Sequence, residues 1–164
     1  MKDSSKRINA NEIINYLDAE FSFNNKQVFL SYSFSNKNIV HEIVNKLKEA
    51  LDICFIDMFS LKSDSDLFSS LIREIKVSSL FICFISKEFC ESDTCCDHLN
   101  LAKRMNKTIL PVMLQPEATN SIQHSILNLK QFLAFEPPNV FEPWSEDLFK
   151  RLSSNILDII THSK

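Results

Sequence analysis

Apolar residues in this chain follow two habits, short continuous runs and stretches that recur every three or four positions. The runs lie in Gln27–Tyr32 (QVFLSY), Asp52–Asp57 (DICFID), Leu80–Ile85 (LFICFI) and Thr108–Met113 (TILPVM). They are too short to span a membrane and predict strands; Leu80–Ile85, rich in aromatic and β-branched residues and closed by Ser86, reads as one buried on both faces. A shorter fifth strand is predicted at Phe132–Phe135. Pro111 would cost its strand one ladder bond, so a strand end or bulge is expected there.

Helical spacing fills the intervals. Ile39, Val40, Ile43, Val44, Leu47 and Leu51 give a broad apolar face to a helix opening near Asn36. Leu67, Leu71, Ile72 and Ile75 do the same for a second helix, with Asp66 as its expected cap. A third runs from about Thr94 to Met105, and Ser145 caps a last one carrying Leu148, Phe149, Leu152, Ile156, Leu157 and Ile160. A less regular stretch, Gln115 to Gln131, holds a short helix near Ile122–Leu127. Residues 1–25 form an extension with one short amphipathic helix (Ile13, Ile14, Leu17, Phe21), and residues 26–162 form the domain.

Strands alternating with helices mean right-handed βαβ units and a mostly parallel sheet covered on both faces. Five strands predict a flavodoxin-like three-layer α/β sandwich of strand order 2-1-3-4-5. Ligands in such folds bind beyond the carboxyl ends of the strands where the order reverses. Here that crevice falls between Tyr32–Asn36 after the first strand and Ser86–Glu88 after the third.

Composition narrows the tenant of this fold. A net charge of −3 gives no basic footprint for nucleic acid, and no apolar run or leader suggests membrane insertion. Five cysteines, an odd number, two of them inside strand candidates, suit a reducing, cytoplasmic setting. The chain contains no glycine. That removes glycine-rich phosphate loops and leaves Asn, Asp, Ser and Pro to make the turns. A phospho-receiver site needs acidic residues where Tyr32-Ser33 and Ile85-Ser86 stand, so that class is excluded. Cys90, Cys95, Cys96, Asp97 and His98 lack the second ligand pair of a zinc site, and no metal is expected. His41, His124 and His162 are expected to be solvated.

Four blocks in order carry a family resemblance: VFLSYSFSN, then CFIDMFSLKSDSDLFSSLI, then SSLFICFISKEFCESDTCCDHLNLA, then TILPVM. Together they resemble a TIR domain from about Lys26 to His162. The resemblance implies partners of the same kind, met through the loop after the second strand: Met58, Phe59, Ser60, Leu61, Lys62, Ser63 and Asp64. Phe59 and Leu61 either fold back on the domain or dock into a neighbour. The family's glycine in this loop is replaced by Ser63 or Asp64.

The resemblance also implies a possible chemistry, cleavage of NAD at its bond to nicotinamide. That reaction passes through a ribosyl cation stabilised by a helix glutamate in a C-x-x-E-L block. Here the block reads Cys95-Cys96-Asp97-His98-Leu99, which puts His98 at the glutamate position. An imidazole offers no fixed negative charge. Asp97 is the fallback carboxylate, although adjacent helix positions point about 100° apart; Glu88 and Glu91, expected in the preceding loop, are further options. The nucleotide pocket would comprise Tyr32, Ser33, Phe34, Asp57 and Ser86, Asp57 ordering the loop that follows it. The expectation is a signalling and assembly module needing no cofactor, with NAD cleavage lost or weak. The alternatives are an NAD glycohydrolase, or a domain that binds the nucleotide without cleaving it.

Overall fold

The computed structural model describes residues 9–11, 26–61, 66–114 and 145–162 of the chain. Four strands form one parallel sheet: β1 (Gln27–Ser31), β2 (Cys54–Asp57), β3 (Leu80–Ile85) and β4 (Ile109–Met113). Their order is β2-β1-β3-β4. Among the described residues the sheet thus has four strands rather than five, and the fifth, expected at 132–135, lies outside them. So do the short helix near 122–127 and all of the N-terminal extension except residues 9–11.

Among the described residues the helices that follow the strands are α1 (Lys37–Ala50), α2 (Leu67–Val77), α3 (Lys87–Glu91), α4 (Asp93–Arg104) and α5 (Glu146–His162). Strand pleating sends successive side chains to opposite faces, and the core divides accordingly. Val28, Leu30, Ile82, Phe84, Leu110 and Val112 face α1 and α5. Phe29, Phe81, Cys83, Ile85, Ile109 and Met113 face α2, α3 and α4. Every residue of β3 is buried, as its unbroken apolar run requires of a central strand. The Phe29 and Phe81 rings stack across β1 and β3 at 5.5 Å.

Serine hydroxyls set the helix starts. Ser86 Oγ accepts from the Phe89 amide at 3.0 Å, Ser92 Oγ from Cys95 at 3.3 Å, and Ser145 Oγ from Leu148 at 3.3 Å. Each satisfies an amide that the first helical turn cannot pair internally. Asp66 departs from expectation: its side chain makes no cap bond, and its carbonyl opens α2 by accepting from Ser70 at 3.1 Å. Glu88 and Glu91 also move, from a loop into α3.

The apolar faces are narrower than the periodicity suggests. Ile39, Leu67 and Leu157 stay exposed, because the sheet covers only the central stripe of each helix. Pro111 lies within β4, paired in register with Cys83. The Thr108 carbonyl and the Leu114 amide bond to β3, so alternate residues from 108 face that strand and Pro111 faces away from it. The proline therefore costs no bond to β3.

Candidate functional site

β1 pairs with β2 on one side and β3 on the other, so the strand order reverses at β1. The crevice at the carboxyl ends of β1 and β3 is the fold's expected ligand position. Three groups of side chains stand along this edge, and a fourth lines a groove along α4.

Tyr32, at the end of β1, is fully buried, and its hydroxyl donates to Asp57 Oδ2 at 2.6 Å. His41 Nε2, from α1, lies 2.8 Å from the same oxygen and 3.1 Å from the Tyr32 hydroxyl. Burial alone would raise the Asp57 pKa. Hydrogen bonds from Tyr32, the Phe59 amide and His41, with the attraction of His41, outweigh it and hold the carboxyl below its ordinary range. Burial first, then the bond and charge of Asp57, push the Tyr32 phenol far above its usual value. The His41 side chain, expected to be solvated, is 44% exposed, but its ring is also engaged with Asp57 and Tyr32. The one signal for it was its place in the second turn of the helix leaving Tyr32, and a surface polar residue looks the same.

Asp57 also orders the chain beyond β2. Its Oδ1 accepts from the Phe59 amide at 2.9 Å, and the Ser60 hydroxyl donates to its carbonyl at 2.6 Å. Met58–Ser60 form one 3-10 turn. Met58 and Leu61 are half-buried against the α2–α4 core, while Phe59 is exposed. Lys62, Ser63 and Asp64 lie outside the described residues.

Ser86 closes the third wall. Fully buried, it donates to Asn36 Oδ1 at 2.7 Å while capping α3. Tyr32 and Ser86, both assigned to a nucleotide pocket from the sequence, are fully buried and hydrogen-bonded within the protein. Ser33 is buried and Phe34 is 65% exposed. Glu88 Oε2, in the first turn of α3, is buried without a partner among the described residues.

His98 and Asp97 line a groove of about 340 Å³ between α2 and α4, with Phe68, Leu71, Leu101 and Arg104. Positions 94, 97, 98 and 101 share one face of α4, which is why both candidates reach it. His98 is 8% exposed, and its Nδ1 is buried without a partner among the described residues. Burial lowers its pKa, against a smaller upward pull from Asp97, so the ring is neutral near pH 7. A larger hollow of about 500 Å³ lies between Lys46 and Phe149. It sits where α1 ends and α5 begins, away from the carboxyl edge, and contains no candidate residue. Among the described residues no cluster of His, Cys, Asp and Glu could hold a metal ion, and no helix is long and apolar enough to cross a membrane.

The parallel sheet, the reversal at β1 and the polar groups at its carboxyl edge define a doubly wound α/β domain of the flavodoxin-like class. Residues 28–153 match the sequence pattern of the TIR domain, and the chain belongs to that family. The fold is similar to the TIR domain of the Toll-related receptor TRR-2 from Hydra magnipapillata, with a TM-score of 0.61 at 18% identity, over 82% of this chain and 98% of that one. It is also similar to the CMP N-glycosidase BcmB of Clostridium botulinum, with a TM-score of 0.56 at 17% identity, over 79% of this chain and 99% of that one. At such identities the likeness is one of fold. No curated protein sequence matches the chain.

Proposed function

We propose that this TIR domain is a signalling and assembly module that works through contacts with other TIR domains, and that its capacity to cleave NAD is lost or weak. One observation carries the second half: His98 stands where the family resemblance calls for a carboxylate, buried and neutral. Breaking an N-glycosidic bond builds positive charge on the ribose, and a fixed carboxylate lowers that barrier by several kcal/mol, roughly 3 for one well-placed group. A neutral imidazole supplies no such charge, and a protonated one would oppose it.

The assembly half is supported by family membership and by the exposed rings of Phe34 and Phe59 beside the turn after β2. These are the residue types that anchor protein interfaces.

Incubating the purified domain with NAD and following nicotinamide tests the reading. Wild type is expected to release little or none, and His98→Glu to gain activity. Robust wild-type turnover would sink it.

A second reading keeps the enzyme. Asp97 lines the same groove as His98, and the fold is shared with BcmB, described as a CMP N-glycosidase. On this reading Asp97 serves as the carboxylate, and the domain releases nicotinamide until Asp97→Ala abolishes turnover.

A further inference from the structure

Cys83 and Cys95 are buried in the core, Cys54 is exposed, and Cys90 and Cys96 are half-buried. The last two meet where α3 hands over to α4. Five residues intervene between them in the sequence, but α3 ends at Glu91 and α4 opens at Asp93. Ser92 turns the chain between the two helices. Its amide bonds back to the Phe89 carbonyl at 3.2 Å, and its hydroxyl caps α4.

Helical side chains lean toward the helix N-terminus, so Cys96, the fourth residue of α4, leans back toward the end of α3. Its thiol donates to the Cys90 carbonyl oxygen, with Sγ 3.7 Å away. Two backbone bonds separate that oxygen from the Cys90 Cα, which puts the Cys96 sulfur within about 6.5 Å of it. Disulfides join Cα atoms about 4.4–6.8 Å apart, so a thiol this near its partner's backbone is in bridging range. Burial raises the pKa of both thiols. Among the charges acting on Cys90 the Cys96 thiolate comes first, ahead of Glu91 and Cys95, while Asp93 and Asp97 add to the rise at Cys96. Neither thiol is activated as in catalytic exchange pairs, whose stabilised thiolate makes their disulfide easily reduced. A bridge here forms slowly and resists reduction once formed.

We propose that Cys90 and Cys96 are a redox modification site, at which a small-molecule disulfide oxidises both thiols to an internal bridge that staples α3 to α4. The first thiolate attacks the reagent, forming a mixed disulfide and expelling one reagent thiolate. The second attacks the protein sulfur of that intermediate and expels the other. The two protein protons end on the expelled thiols, and the two electrons lost by the cysteines reduce the reagent's S–S bond. The bridge falls one residue before Asp97 and two before His98, so oxidation fixes the turn of α4 that leads into both groove residues. It does so whether the domain assembles, cleaves NAD or does both.

Equilibrating the purified domain in buffers graded from reduced to oxidised glutathione, then trapping free thiols with iodoacetamide and mapping the products by mass spectrometry, tests this. Digestion after Glu91 separates Cys90 from the other two cysteines of the segment. The oxidised domain is expected to hold the two fragments together, lighter by two hydrogens, and to release them on reduction. Its melting temperature should rise by a few degrees, because the bridge restricts the unfolded chain. Cys90→Ser and Cys96→Ser should each abolish the link and the rise, and Cys95→Ser should keep both, with circular dichroism confirming that each variant is folded. The wild-type map decides the pairing without any variant. Glutathione adducts with no internal bridge, a bridge through Cys95, a link between two copies, or free thiols in the most oxidising buffer each overturn the site. A Cys90–Cys96 bridge that leaves the melting temperature unchanged overturns the staple.

Discussion

The Tyr32 hydroxyl donates to Asp57 Oδ2 at 2.6 Å, tying the end of β1 to the end of β2. Asp57 collects His41 and the Phe59 amide as well, so one carboxylate fixes two strand ends, a helix and the turn after β2. A hydrogen bond to a charged group contributes roughly 1.5–3 kcal/mol. Tyr32→Phe removes the donor and leaves part of a buried carboxylate unpaired. It is expected to lower unfolding free energy by about 2 kcal/mol in urea titrations. An unchanged denaturation midpoint would show the bond to be energetically idle.

The same pair predicts pH dependence at both extremes. Asp57 has a folded pKa below its ordinary 3.8, so its stabilisation is present above that value and lost as pH falls through the folded value. Tyr32 has a folded pKa raised above 10.0. Its contribution is complete below pH 10.0 and lost as pH rises further, because the unfolded chain releases the phenolic proton first. Asp57→Asn should flatten the acid limb of the stability profile, and Tyr32→Phe the alkaline limb. Parallel limbs in wild type and variant would contradict the linkage.

His98 gives a third limb nearer neutrality. Its folded pKa lies below the usual 6.5 because burial disfavours the imidazolium. Its share of stability is present above pH 6.5 and is lost as pH falls and the unfolded state takes up the proton. His98→Leu removes the titration and the unpaired Nδ1, whose burial costs about 1–3 kcal/mol. The variant is expected to be at least as stable as wild type at pH 7 and to outlast it at pH 5.5 in thermal melts. A variant less stable than wild type at both pH values would mean that the ring makes contacts worth more than its unpaired nitrogen costs.

Much of this frame was legible in the chain. A six-residue apolar run rich in β-branched and aromatic residues and closed by Ser86 reads as a strand covered on both faces, and β3 spans Leu80–Ile85 residue for residue. The spacing of Cys95, Leu99 and Ala102 set the buried face of α4, and His98 falls between two of those positions on the same side. What sequence could not give was range. His41 and Asp57 meet only because β1 and β2 are register neighbours, and no local pattern separates such a histidine from a solvated one. Periodicity likewise counts Ile39 and Leu67 as core, since it reports which side a residue is on but not how far the sheet extends beneath it. Pro111 was harder to read because its cost depends on which neighbour its nitrogen faces.

A chain without glycine must find left-handed backbone elsewhere, and among the described residues Asn106, with φ of 53°, is the one that adopts it. It ends α4, its amide bonding the Lys103 carbonyl at 3.0 Å. Asparagine tolerates this region, whereas a side chain without a local polar group costs about 1–2 kcal/mol there. Asn106→Ala is expected to destabilise by about 1 kcal/mol and Asn106→Gly to be neutral or slightly stabilising. Equal destabilisation by both would point to the amide side chain rather than the backbone.

The cysteines divide by burial, and that division predicts their reactivity. Cys54 is exposed, whereas Cys83 is fully buried in β3 and its thiol is pushed up to about 12. Alkylation needs a thiolate that the reagent can reach. At pH 8 a thiol with that pKa is ionised in only about one molecule in ten thousand, and the central strand shields it as well. Cys90, Cys95 and Cys96 also have raised values, burial being the main cause in each, with Cys90 and Cys96 half-buried. Iodoacetamide followed by mass spectrometry should therefore modify Cys54 first, Cys90 and Cys96 slowly, and Cys83 only at the rate of global unfolding. Adding urea below the unfolding midpoint should accelerate Cys83 in proportion to the unfolded population and leave Cys54 nearly unchanged. Labelling of Cys83 as fast as Cys54 in native buffer would mean that the central strand opens without unfolding the domain, contrary to a sheet whose middle is covered by helices on both faces.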